Sequence, residues 1–106
     1  MRRKILLVCL DGCDALAREG FYTEGSSVVP SVTNVNNVSI LTGSFPRDHG
    51  ITSNYWYDRR TGNGRYMETA DFLTNTTVLE RAAAKGLTTA LVTSKKKLLH
   101  LLNRGA

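Results

Sequence analysis

Ile5 to Leu10 is an unbroken apolar run that ends on Asp11, and no other feature restricts the fold as much. A strand with one wet face alternates apolar and polar residues. An unbroken run of this length suits a strand covered on both faces, as in a mainly parallel sheet. Asp11 then stands at the strand's carboxyl end, the edge where open α/β sheets bind their ligands. A second apolar stretch, Thr88 to Thr93, lies between helical patterns at Thr76 to Lys85 and Lys95 to Asn103, so this end reads as a βα repeat. Gly25 to Val29 is a third short strand, and Asp14 to Gly20 a short helix with Asp14 as its cap.

At 106 residues, with 42% hydrophobic and 22% charged residues, the chain has the make-up of one small globular unit rather than a disordered segment. The opening Arg2-Arg3-Lys4 and apolar run imitate a secretion signal. The run is too short and meets Asp11 with no small-residue cleavage site, and nothing is long enough to span a bilayer, so a cytoplasmic protein without membrane contact is expected. Cys9 and Cys13 lack a second pair at zinc-finger spacing and read as one buried strand thiol and one loop thiol. A net charge of +5 favours anionic partners. The cations gather at Arg2 to Lys4 and Lys95 to Lys97 without the interleaved aromatics that stack bases, so no nucleic-acid partner is expected.

Between these stretches, Thr33 or Asn34 caps a helix running through Val35, Val38, Ile40 and Leu41 to a stop at Gly43. Its start directs free amides and a positive dipole end at whatever lies near Thr33. Residues 44 to 54 read as loop, and Asn54 to Asp58 and Arg65 to Glu68 flank Thr61-Gly62-Asn63-Gly64 as a β-hairpin. In the last helix Leu98, Leu99, Leu101 and Leu102 are expected to face inward. Taken singly, Thr33 is an ordinary cap, Asp11 a loop carboxylate, His49 a structural turn histidine, and Lys95 to Lys97 a solvated helix start, although cations there oppose the dipole.

Together, Pro30-Ser31-Val32-Thr33-Asn34-Val35-Asn36-Asn37, Thr42-Gly43, His49-Gly50-Ile51 with Asn54, and Asp11-Gly12-Cys13 resemble the alkaline phosphatase superfamily. Within it they are most similar to the phosphonoacetate hydrolase branch, because Thr33 is followed by Asn34-Val35-Asn36-Asn37 where the nucleotide pyrophosphatases and phosphodiesterases have Phe-Pro-Asn-His. The resemblance implies an α/β fold, part of a three-layer sandwich around a mainly parallel sheet with a β-hairpin insertion. It also implies zinc-dependent hydrolysis of phosphonoacetate to acetate and phosphate through a phosphothreonine. Asp11 would be a zinc ligand, Thr33 both ligand and nucleophile, Asn54 a donor to a phosphoryl oxygen, and Lys95 and Lys97 the partners of the substrate carboxylate. A divalent metal and a helix start both favour the alkoxide of an otherwise poor nucleophile.

Two features depart from the family pattern. Asp11 and Thr33 are 22 positions apart (33 − 11), shorter than the helical excursion expected between them. A two-zinc site also needs further Asp and His ligands, whereas the two histidines here, His49 and His100, sit in no such motif. Residues 1 to 106 are therefore expected to be a single partial domain, the N-terminal part of a longer enzyme, inactive alone, with a homodimer open to the full-length form. The sibling reading is a phosphodiesterase or nucleotide pyrophosphatase. A reading from another class is a non-catalytic anion- or RNA-binding module.

Overall fold

A computed structural model describes residues 3–10 and 18–106. Helix α1 spans Thr33–Thr42, and its sequence is a poor helix former: Thr, Asn and Val each cost roughly 0.5 kcal/mol against Ala. Packing offsets this, since full burial of Val35 and of Val38 contributes about 1.5–3 kcal/mol apiece. The cap differs from the expected one. Val32, extended, occupies the N-cap without a side-chain bond, and Thr33 is the first helical residue. Gly43 ends the helix in the left-handed region at φ 63°, its amide donating to Ser39 O at 2.9 Å.

The stretch expected to be loop contains a one-turn helix, α2 (Pro46–His49), which starts on proline and is closed by Gly50 at φ 86°. Four residues are too few to carry a period, which is why only the proline and glycine mark it in the sequence. The expected hairpin forms with its second strand shifted two residues earlier: β1 (Tyr55–Asp58) and β2 (Asn63–Tyr66) pair antiparallel, Tyr55 opposite Tyr66 and Asp58 opposite Asn63, so Asn63 and Gly64, expected in the turn, are strand and Met67 and Glu68 are not. Asp58 closes the turn itself, accepting from the Arg60 amide and the Thr61 hydroxyl at 2.9 Å each. Pairing extends one step inward through Met67 N to Asn54 O, also 2.9 Å. A 3-10 turn, Ala70–Phe72, then braces the hairpin: Arg65 pairs with Asp71 at 2.8 Å and lies over the Phe72 ring, against which Trp56 packs edge-on.

Helix α3 (Val78–Ala84) begins with a capping box in which Thr77 and Glu80 satisfy each other's backbone amides. Helix α4 (Lys96–Leu102) buries Leu98, Leu101 and Leu102. Leu99 does not join them, being 42% exposed, because it lies about 100° around the helix from the i, i+3, i+4 face. These leucines share one core with Val35, Val38, Ile51, Met67 and Leu73. The core thus joins α4 to α1 and to the segments on either side of the hairpin.

The expected strands at 5–10, 25–29 and 88–93 form no strand among the described residues, although Val28 and Leu91 pack partly buried against the core. Ile5 is 96% exposed and Val92 94%. An apolar run signals that a strand will be covered, but the neighbours that cover it are a tertiary matter. Cys9, expected in a buried strand, is exposed for the same reason, while Asp11, Cys13 and most of the 14–20 helix lie outside the described residues. No helix among the described residues is long and apolar enough to cross a membrane.

Candidate active site

Thr33 is half-buried at the first position of α1, just beyond Val32, whose amide turns back to Pro30 O at 3.0 Å. The first repeating helical bond is Asn36 N to Val32 O, so the amides of Thr33, Asn34 and Val35 precede the ladder and are free to face a ligand. No acid stands in the first turn of α1 and no base in its last, so the helix's own side chains leave its dipole unneutralised. The Thr33 hydroxyl has no hydrogen bond to any described residue. Its carbonyl is held from within the helix by Asn37 Nδ2 at 2.9 Å.

Asn54 is tied to this helix start by two bonds in series. Asn34, fully buried at the second position of α1, donates Nδ2 to Met67 O at 2.9 Å, and Met67 N donates to Asn54 O. The Oδ1 atoms of Asn34 and Asn54 are both buried without a partner among the described residues. A buried amide oxygen without a donor is costly, on the order of 1–3 kcal/mol. Such unpaired groups mark places where a ligand or water completes the site.

A second tie, which the sequence reading missed, joins the middle of α1 to the same loop. His49 is fully buried; its Nδ1 accepts the Ile51 amide at 3.1 Å and its Nε2 lies 2.8 Å from Ser39 Oγ. Burial holds its pKa below the usual 6.5, with the neighbouring Asp48 pulling the other way. The imidazole is neutral and saturated, which accords with a structural turn histidine rather than a metal ligand. The Pro-x-x-His-Gly spacing of 46–50 is the sequence signal that could have found it: a one-turn helix that presents its last side chain inward.

Lys95, exposed, is the N-cap residue of α4, its amide accepted by Thr93 Oγ1 at 3.1 Å; Lys97, the second residue of the helix, is half-buried. Helices α4 and α1 contribute to one core, α4 packing on the 70–72 turn and α1 on α2 and α3, and among the described residues no hydrogen bond or ion pair links either lysine to Thr33 or Asn54. Among the described residues no three His, Cys, Asp or Glu side chains gather where they could hold a metal. Asp11 lies outside them. A groove of about 510 Å³ runs along the flank of α1, between Asn36, Ser39 and Phe45 and the Ser26–Val28 segment, and Thr33 does not line it.

Residues 10–97 match the family described as type I phosphodiesterase / nucleotide pyrophosphatase. The chain is similar to two solved structures of phosphonoacetate hydrolase from Sinorhizobium meliloti 1021, one in complex with phosphonoacetate and one with phosphonoformate. Identity is 44% and 45%, each with a TM-score of 0.71 over 76% of this chain, and the chain spans 19% of the length of either. A stretch of 38 residues is 50% identical to alkaline phosphatase PafA of Elizabethkingia meningoseptica, covering 36% of this chain and 7% of that protein. These likenesses identify the described helices and hairpin as part of an alkaline-phosphatase-like α/β fold.

Proposed function

Because the chain belongs to the type I phosphodiesterase / nucleotide pyrophosphatase family, we propose that it is the nucleophile-bearing portion of a hydrolase that converts phosphonoacetate and water to acetate and phosphate. The observation that carries this reading is Thr33 at the first position of a helix whose leading amides have no partner among the described residues and whose own first turn carries no acid. The amide of Asn54, tied to that helix start, supports it.

In this reading Thr33 Oγ gives up its proton and attacks phosphorus. The carbon–phosphorus bond breaks, its electron pair remains on the acetate carbon, and that carbon takes a proton. Water then hydrolyses the phosphothreonine, releasing phosphate and restoring the hydroxyl. The α1 amides and Asn54 Nδ2 stabilise charge on the phosphoryl oxygens, the kind of preorganised donor set that accounts for much of such catalysis. Lys95 and Lys97 hold the substrate carboxylate.

Zinc, two ions in the whole protein, is the cofactor of this proposal, with Asp11 and Thr33 as ligands. Bound there, it would acidify the Thr33 hydroxyl. Oxygen donors of this kind fit a divalent cation, but two ligands are half of a tetrahedral set. The proposal therefore extends to a single partial catalytic domain of a larger cytoplasmic enzyme, a homodimer being one arrangement open to it.

The test is phosphate release from phosphonoacetate by the whole protein, with intact mass used to trap the phosphoenzyme. Thr33→Ala should lower turnover by at least about 10³-fold, in the range seen when a nucleophile is removed, and should abolish the phosphorylated species. Unchanged turnover in Thr33→Ala would overturn the reading. The family match also favours a phosphodiesterase, so a nitrophenyl phosphodiester assayed alongside separates the siblings: a much larger kcat/KM on the diester would select that one.

A further inference from the structure

We propose that His49 is a positioning residue for this site: its neutral imidazole clamps the helix that carries Thr33 to the turn that delivers Asn54. The inference rests on the reading of Thr33 and Asn54 given above.

The backbone amide of Ile51 can only donate, so Nδ1 of His49 is the acceptor in their 3.1 Å bond. The ring proton therefore sits on Nε2 and is donated to Ser39 Oγ, 2.8 Å away. This rules out His49 as a base toward Ser39, because its one lone pair is already occupied. What the ring does is mechanical. Helix α1 is joined to the 49–54 segment at Ser39 through His49 and at Asn34 through Met67 and Asn54. Two ties at separate points on one helix fix both its slide and its rotation. With either removed, the helix can pivot about the other, and Thr33 moves relative to Asn54.

The clamp has a built-in acid limit. A doubly protonated ring would set an Nδ1–H against the Ile51 N–H, so protonation breaks the tie to the turn. Little nearby opposes the cost of burying that charge. Helix α1 has no charged residue, nor has the 50–54 loop, nor the 72–75 segment whose Thr74 amide bonds His49 O at 3.1 Å. Asp48 and Arg47 flank the ring on its own helix, and Asp71 is engaged by Thr69 and Arg65. The folded-state pKa lies below the unfolded value, so the clamp's contribution is complete above about pH 6.5 and is lost as pH falls through the lower folded value.

The test has two independent readouts on the whole protein. Histidine-selective ¹⁵N NMR should show His49 as the Nε2–H tautomer with a titration midpoint below that of a model histidine peptide. An Nδ1–H tautomer or a peptide-like midpoint would overturn the proposal, whichever residue attacks phosphorus. In kinetics, His49→Asn keeps an acceptor for Ile51 but neither reaches Ser39 nor titrates. It should lower kcat by about 10- to 100-fold, the order expected of a 1 Å misplacement, with KM little changed. It should also remove the acid limb of the kcat profile, whereas Ser39→Ala should lower kcat similarly and retain that limb. An unaltered limb in His49→Asn, or an effect confined to KM, would overturn the clamp. Activity surviving in Thr33→Ala would instead overturn the reading beneath it and leave the tautomer result standing.

Discussion

Asn34 belongs at once to the core and to the candidate site. Its Nδ2 bonds Met67 O from a fully buried position, while its Oδ1 has no partner among the described residues. Asn34→Ala should destabilise the protein by about 1–3 kcal/mol, because the Met67 carbonyl is left buried and unbonded. The urea midpoint checks this, and the slope of the transition should be unchanged. Thr33 and Asn54 were candidates in the sequence because the motifs around them are intact. The link from Asn34, next to Thr33, to Asn54 could not be read there, since it runs through the backbone of Met67, 13 residues beyond Asn54 (67 − 54). The Ser39–His49 bond was hidden for a related reason: only the turn of α2 brings residues ten apart into hydrogen-bond reach.

At the scale of elements, glycine stops do two different jobs, and substitution separates them. Gly43 ends α1 at φ 63° with open space where a Cβ would be, so Gly43→Ala should cost only the left-handed penalty, about 1–2 kcal/mol. Gly50 has φ 86°, and a Cβ there would sit 2.6 Å from Phe72 O and 3.0 Å from Thr74 Oγ1. Gly50→Ala should therefore lower the melting temperature distinctly more than Gly43→Ala; equal effects would mean that the 72–74 segment yields freely. The sequence marked α1, α3, α4 and the hairpin well, because each has a period and a stop signal within itself. It misjudged Leu99 because the run of leucines hides a three-residue face among four residues. It placed strands at 5–10, 25–29 and 88–93 whose pairing no local pattern could specify.

The whole molecule is built unevenly. Its radius of gyration is 15.5 Å, against about 13 Å for a compact chain of this size, and one core holds α1, α4 and both flanks of the hairpin together while the apolar 5–10 segment stands outside it. Stability should be distributed accordingly. Hydrogen exchange should find the amides of Val38, Leu101 and Leu102 the best protected, and those of 5–10 and 88–93 exchanging near the rate of an unstructured peptide. Strong protection at 5–10 would show that strand to be paired in solution.

The seat of the hairpin has a practical consequence. Trp56 is the chain's single tryptophan, 41% exposed and held edge-on to Phe72 with ring centres 6.2 Å apart. Phe72 is also the residue whose carbonyl crowds Gly50 and whose ring lies under Arg65. Selectively excited fluorescence therefore has one source, at the junction where the hairpin meets the turn that supports the His49 loop. Its colour and quenching by iodide or acrylamide form an intrinsic optical gauge of that junction, free of any attached dye.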